Sequence, residues 1–118
     1  GSSRYFMGGV VAYSNDLKVK LAEVPADLLD HFGAVSEQVA KALAEGIRKR
    51  CGTTLGLGIT GVAGPTGGTD EKPVGLVYHA LASESGTEVI QRNFPGDRQR
   101  IRFFASQQAL DMVRRKLM

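Results

Sequence analysis

The chain of 118 residues has the length of one domain, because two independent hydrophobic cores of ordinary size would need more material. Its composition is 42% hydrophobic and 23% charged with a mean hydropathy of -0.11, which excludes a disordered chain and a membrane protein. The charge is uneven: residues 1–91 hold 8 basic and 10 acidic side chains, whereas residues 92–118 hold seven basic and two acidic ones. The C-terminal part therefore predicts contact with an anion.

The first half of the chain predicts one strand followed by three helices. Residues 6–14 are apolar and partly β-branched, which is typical of a buried strand. Asn15 and Asp16 are the expected N-cap of a short helix that runs through Leu21, and a second helix is predicted over residues 25–31. Ser36 is the expected cap of a third helix over residues 37–50, which Gly52 would close.

The second half predicts three strands and a terminal helix. Strands are expected over residues 53–59, 74–82 and 87–94, the last two forming a hairpin, with a long loop over residues 60–73. Asp97 would cap the last helix, whose inward side chains are predicted to be Ile101, Phe104, Ala105, Ala109, Met112 and Val113. This order predicts an α/β layered domain with a mixed β-sheet of about four strands flanked by helices, since strands separated by helices favour parallel pairing.

The cysteine and histidine content of the chain gives little support for a metal site or a disulfide. Cys51 is the single cysteine, so neither an intramolecular disulfide nor a cysteine-based zinc site can form, and a reducing, cytoplasmic location is expected. His31 and His79 lack partners at metal-ligand spacing and are expected to be structural. The sequence therefore predicts neither a metal nor a cofactor.

Glycines occur in clusters, and 15 of them are present in the chain. Residues 56–61 match G-x-G-x-x-G, but Gly64 and Pro65 forbid the helix that a dinucleotide fingerprint requires, so that site is rejected. The following segment, residues 60–68, offers many backbone N–H groups with little side-chain cover. It is either a loop that approaches a phosphate or oxyanion, or a surface connection.

Two further groups of residues could carry chemistry. Ser3, Tyr13 and Lys18 could converge so that a desolvated lysine serves as the base for a serine nucleophile, although spacing alone favours a solvated lysine and an exposed serine. Arg98 and Arg102 stand at the predicted start of the last helix, where an anion is attracted, although a solvated basic face is the default. Nucleic acid is disfavoured, because the phenylalanines nearby occupy core-like positions and the chain has no tryptophan.

Several motifs together resemble a known family, and they run along the whole chain in one order. They are Gly1-Ser2-Ser3, Tyr5-Phe6, Gly8-Gly9-Val10-Val11-Ala12-Tyr13-Ser14-Asn15, Lys18, Gly33-Ala34-Val35-Ser36, the loop from Ile59 to Gly68, Lys72-Pro73-Val74-Gly75 and Phe94-Pro95-Gly96-Asp97-Arg98. In these residues the sequence resembles the C-terminal domain of the competence-damage-inducible protein A (CinA) family.

The resemblance implies nicotinamide-nucleotide amidase activity, the hydrolysis of nicotinamide mononucleotide to nicotinic acid mononucleotide and ammonia. It implies Ser3 as nucleophile, Lys18 as base, the Tyr13 hydroxyl as a holding or relaying group, and Thr60 as the residue that positions the amide or its oxyanion. The implied substrate-binding residues are Gly9, Gly61, Gly64, Gly67, Arg98 and Arg102. No metal or cofactor is implied, and the partner is a small-molecule mononucleotide.

Family members carry an upstream strand and helix with a Glu-Ser-x-Thr-Gly-Gly motif, which this sequence does not contain. We therefore expect residues 1–118 to form a single partial domain, truncated at its N-terminus, with an exposed sheet edge that favours a homo-oligomer. Two alternatives stay open: a nucleotide-binding module without catalysis, and a nucleic-acid-associated accessory protein for competence or DNA damage.

Overall fold

The computed structural model describes all 118 residues and contains four α-helices and three strands. A short 3₁₀ turn, Ser2–Arg4, comes first, and the remaining elements are α1 Asn15–Ala22, α2 Ala26–Phe32, α3 Glu37–Cys51, β1 Gly56–Gly61, β2 Leu76–Ser83, β3 Gly86–Asn93 and α4 Arg98–Leu117. The predicted helices are confirmed, with boundaries within one or two residues of those expected from the sequence.

Capping side chains explain where three of these helices begin. The cap of α1 is Ser14 and not the expected Asn15 or Asp16, since the Ser14 hydroxyl accepts a hydrogen bond from the Leu17 N–H at 3.1 Å. The Ser36 hydroxyl accepts one from the Val39 N–H at 3.2 Å. The Asp97 carboxylate accepts one from the Arg100 N–H at 2.9 Å. Each cap satisfies a backbone donor that the first helical turn leaves free, so the local sequence fixes the helix start.

The sheet has the order β1-β2-β3, and both pairings are antiparallel. Residues of β2 alternate between its two faces. Ala80 and Ala82 pack against alanines of α3, whereas Val77 packs against Ile101 and Ala105 of α4. The domain therefore has three layers, with α3 on one face of the sheet and α4 on the other.

Glycine allows α3 to lie very close to β1. A Cβ atom added to Gly58 would lie 2.5 Å from the Ala40 carbonyl oxygen and 2.8 Å from the Ala44 nitrogen. Both are backbone atoms of α3, and Ala40 and Ala44 are themselves fully buried. Small residues on both elements thus set the spacing between this helix and the sheet.

His79 links β2 to α4 inside the core. Its side chain is fully buried, its Nε2 atom lies 3.0 Å from the Ala105 carbonyl oxygen, and its Nδ1 atom has no hydrogen-bond partner. Burial lowers the pKa of His79, and the nearby Arg92 lowers it further, against the opposing effect of the Ala105 carbonyl. This histidine is therefore a neutral core residue, as the sequence predicted for a structural role.

The α/β layered class is confirmed, but two details of the predicted sheet are wrong. Residues 6–14 form no strand; Phe6, Val11 and Tyr13 are exposed. The sheet is consequently antiparallel throughout and not mixed, because the segment that was expected to supply a parallel strand is not part of it. An apolar, β-branched segment becomes a strand only where a neighbouring edge accepts its hydrogen bonds, and here none does.

Candidate functional site

Lys18 is the most unusual ionisable residue among the candidate catalytic residues. It lies in α1 just after the Ser14 cap, and only 8% of its surface is exposed. Its Nζ atom donates a long hydrogen bond of 3.4 Å to the Tyr13 carbonyl oxygen, and no carboxylate pairs with it. Burial lowers the pKa of Lys18, since removal from water disfavours the ammonium form. At a given pH a larger fraction of Lys18 is therefore neutral than of an exposed lysine.

Tyr13 and Ser3, the other two members of the predicted triad, are arranged differently. The contact between Tyr13 and Lys18 uses the tyrosine main chain, while the Tyr13 side chain is 82% exposed. Ser3 lies in the exposed 3₁₀ turn, and no hydrogen bond joins it to Lys18. The structure thus brings together Lys18 and the backbone of Tyr13 and leaves Ser3 apart, so the roles of the Ser3 and Tyr13 hydroxyls stay predictions.

Thr60, near the end of β1, is buried and already engaged. Its hydroxyl donates a 2.7 Å hydrogen bond to the carbonyl oxygen of Ala34, 26 residues away in the chain. A threonine hydroxyl has one proton and two lone pairs. Because that proton is donated to Ala34, the Thr60 hydroxyl has only its lone pairs left for a ligand.

Residues 32–36, called the connector here, comprise the last residue of α2 and the four residues that join it to α3. They are held by three side chains. Lys72 Nζ donates to the Phe32 carbonyl at 2.7 Å, Ser36 Oγ donates to the Gly33 carbonyl at 2.9 Å, and Thr60 donates to that of Ala34. Three successive carbonyls are therefore fixed by side chains. Sequence analysis gave Lys72 no role, and its only signal was its place beside Pro73 in a family motif.

The predicted long loop is confirmed, but it runs over residues 62–75 and so lies two residues later than expected. Backbone hydrogen bonds close its two ends. The Val62 N–H donates to the Leu76 carbonyl at 2.9 Å, and the Gly75 N–H donates to the Val62 carbonyl at 2.7 Å. Gly64 and Gly67 have φ angles of 81° and 90°, which favour glycine. The substrate-binding candidates Gly64 and Gly67 therefore belong to one loop with a defined backbone path, and Gly61 is the last residue of the strand that leads into it.

The two candidate arginines of α4 differ in their surroundings. Arg98 Nη1 donates a 3.0 Å hydrogen bond to the Gly64 carbonyl oxygen and so fastens the loop to the start of α4. Arg102 is exposed and forms no ion pair. Gly9 lies in the exposed 6–14 segment, and a Cβ atom added there would meet nothing within 4 Å. The structure joins Arg98 to the loop but leaves Arg102 and Gly9 outside this arrangement.

Three further features concern metal ions, the cysteine and the membrane. No group of three or more histidine, cysteine, aspartate or glutamate side chains lies close enough together to hold a metal ion. Cys51 is exposed and unpaired. No helix combines the length and the apolar character that crossing a bilayer requires.

Comparisons with known proteins extend the resemblance seen in the sequence. Residues 1–117 match the family described as the CinA C-terminal domain. A CinA-like protein of Koribacter versatilis is 64% identical over 117 residues, and one of Acidobacterium capsulatum is 63% identical over 118 residues. These matches cover 99% and 100% of this chain, but the chain spans only 28% of the length of either relative.

Solved structures give the same result for the fold. A CinA-superfamily protein from Enterobacter cloacae superposes with a TM-score of 0.86 at 33% identity, covering 93% of this chain and 65% of that one. A competence or damage-inducible protein from Enterobacter asburiae superposes with a TM-score of 0.87 at 32% identity, covering 93% and 69%. On both sequence and structure, the chain belongs to the family of CinA C-terminal domains.

Proposed function

We propose that this domain hydrolyses the carboxamide of nicotinamide mononucleotide, with Ser3 as nucleophile and Lys18 as base. The observation that supports the proposal best is the buried Lys18, whose lowered pKa and lack of a carboxylate partner suit a proton acceptor. The reaction belongs to pyridine-nucleotide salvage, for which we expect a cytoplasmic location and no membrane or nucleic-acid partner.

In this mechanism the neutral amine of Lys18 takes the proton of the Ser3 hydroxyl as its oxygen attacks the carboxamide carbon. The resulting tetrahedral oxyanion collapses, the C–N bond breaks, and the Lys18 ammonium returns its proton to the leaving nitrogen, which departs as ammonia. Water then hydrolyses the acyl ester on Ser3, giving nicotinic acid mononucleotide and the free serine. The exposed turn that carries Ser3 must approach Lys18 for the first step.

Thr60 supports a refined version of its expected role. Since its proton is donated to Ala34, its lone pairs can accept a hydrogen bond from the carboxamide NH₂ group, whereas a developing oxyanion needs a donor. We therefore assign Thr60 to amide positioning and leave oxyanion stabilisation to backbone N–H groups of the glycine loop. Gly9, Gly61, Gly64 and Gly67, with Arg98 and Arg102, would contact the ribose and phosphate.

The test is ammonia release from nicotinamide mononucleotide by four variants in matched pairs. Ser3→Ala and Lys18→Met should abolish release, while Ser2→Ala in the same turn and Lys20→Met on the same helix should leave it unchanged. Lys20 is a suitable control because its side chain is 66% exposed and pairs with Asp16. Normal release by Ser3→Ala or Lys18→Met would refute the mechanism.

The pH dependence gives a second readout for Lys18. Only the neutral amine can accept the serine proton, so kcat/KM should rise with pH through the pKa of Lys18. That rise should occur below the ordinary lysine value of 10.5, because burial lowers the pKa. Saturable binding of the mononucleotide without ammonia release at any pH would instead support a binding module without catalysis.

A further inference from the structure

Helix α4 carries an apolar stripe on the side that faces away from the sheet. Its inward residues are buried, yet Phe103, Leu110 and Leu117 are 58%, 63% and 72% exposed. These three residues, called the α4 seam here, are spaced by seven positions. They therefore follow one line along the helix.

The seam is narrow. Seven residues correspond to a rise of roughly 10.5 Å, and the residues flanking the line on the surface include Gln99, Ser106 and Gln107. A membrane-binding helix buries a broad apolar face, whereas a stripe one residue wide with heptad spacing suits a second helix lying alongside. The geometry points to a helical partner.

The charge of α4 restricts what that partner is. The helix holds six basic side chains and one acidic one, Asp111. Asp111 is already paired with Arg114 and Arg115, each at 2.8 Å, while Arg100 and Arg102 are exposed without an ion pair. A second copy of this chain would bring two strongly basic helices together, so like-charge repulsion disfavours it. An acidic helix would instead be attracted.

An open cleft lies where the seam begins. It has a volume of about 560 Å³ and is lined by Asp97, Gln99, Arg100, Phe103 and Phe104. The carboxylate of Asp97 is engaged in capping the helix, which leaves the Arg100 guanidinium as the free charge at the rim. Apolar walls beside an unpaired arginine suit a large apolar side chain followed by a carboxylate.

We propose that the α4 seam docks an acidic amphipathic helix of a partner protein. Leucine-type residues of that helix at heptad spacing pack against Phe103, Leu110 and Leu117, and one of them enters the cleft. A carboxylate flanking those residues pairs with Arg100, which lines the cleft. Phe103, Leu110, Leu117 and Arg100 have no part in the reaction proposed for Ser3 and Lys18, so this surface is independent of that reaction.

The probe is a labelled synthetic peptide of about three heptads, with leucines at the a and d positions and glutamates flanking them. Fluorescence anisotropy should show saturable binding that weakens as salt rises. Leu110→Glu should weaken binding about tenfold or more, as expected for a central apolar anchor. Val11→Glu, a matched change at a residue 80% exposed on the 6–14 segment, should have no effect. Arg100→Glu should weaken binding and reduce its salt dependence.

Several results would overturn the proposal. Equal binding of a scrambled peptide of the same composition would show that the surface recognises only the charge of the peptide. Leu110-dependent binding to anionic vesicles would identify a membrane surface, and equal affinity for a short DNA duplex would identify nucleic acid. If sedimentation reveals a dimer that Leu110→Glu converts to a monomer, the occupant of the seam is a second copy of this chain. Circular dichroism of Leu110→Glu verifies that the exposed change leaves the fold intact.

Discussion

Replacing Gly58 by alanine tests whether close contact between α3 and β1 supports the fold. The added methyl group would lie 2.5 Å from the Ala40 carbonyl oxygen and 2.8 Å from the Ala44 nitrogen, where ordinary contacts begin at 3.4 Å. Both opposing atoms belong to the helix backbone, so no side chain can rotate away. Helix α3 would have to move outward from β1 by about 1 Å to relieve the contact.

The energetic consequence follows from two opposing effects. Overpacking of this kind costs about 1–3 kcal/mol, and a rigid helix backbone places Gly58→Ala toward the upper end. Alanine also restricts the unfolded chain more than glycine does, which offsets about 0.4–1 kcal/mol of this cost. We therefore expect the free energy of unfolding to fall by about 2 kcal/mol, which lowers the Tm by roughly 8 °C for a domain of this size.

The assay is urea unfolding followed by circular dichroism, with Gly9→Ala as the control. Gly9 has open space around its Cβ position, so its substitution should change the free energy of unfolding by less than about 0.5 kcal/mol. Equal stability of Gly58→Ala and Gly9→Ala would show that the α3–β1 spacing is not a constraint. The small residues of α3 and β1 would then not be needed to set the spacing between the two elements.

Three further predictions concern Lys18, His79 and Arg98. Lys18→Met should be more stable than the wild type at neutral pH, because burial lowers the pKa of Lys18 in the folded state. For the same reason, urea titrations should show that the free energy of unfolding of the wild type rises toward pH 10.5, and the variant should lack that rise. The pKa of His79 is also lowered by burial, so acidification below pH 6.5 should destabilise the fold. Urea unfolding near about pH 5 should show a smaller loss of stability in His79→Gln, whose amide can still donate a hydrogen bond to the Ala105 carbonyl. Arg98→Ala should speed amide hydrogen exchange around Gly64, measured by mass spectrometry, because the hydrogen bond from Arg98 to the Gly64 carbonyl is lost. Equal exchange in Arg98→Ala and the control Arg102→Ala would show that this hydrogen bond does not hold the loop.

Helix positions were predictable because their signals are local. Ser36 and Asp97 cap the helices they were expected to cap, and the residues between β2 and β3 form the predicted hairpin. Segment 6–14 was predicted wrongly because strand formation depends on a neighbouring edge, which local composition does not report. Among the predicted inward residues of α4, Phe104 and Val113 are only half-buried, since the sheet beneath is narrow.

The candidate site could be predicted in its residues but not in its contacts. Lys18 was expected to be solvated on spacing alone, and only the packed structure shows it buried. The Thr60 hydroxyl meets a carbonyl 26 residues away, and the Lys72 ammonium meets one 40 residues away. Contacts at such separations follow from the tertiary arrangement, so the single-sequence pattern could not reveal that Thr60 has its proton committed.

The connector between α2 and α3 has a consequence for how sequences of this domain can vary. In its three hydrogen bonds with side chains the connector backbone supplies carbonyl oxygens, which every amino acid has, whereas the donors are the side chains of Ser36, Thr60 and Lys72. A substitution library at Ala34 should therefore tolerate many residues, while libraries at Thr60 and Lys72 should accept few. The position of the connector is encoded mainly by residues outside it, so tolerance to substitution is a poor guide to which parts of this domain are held in place.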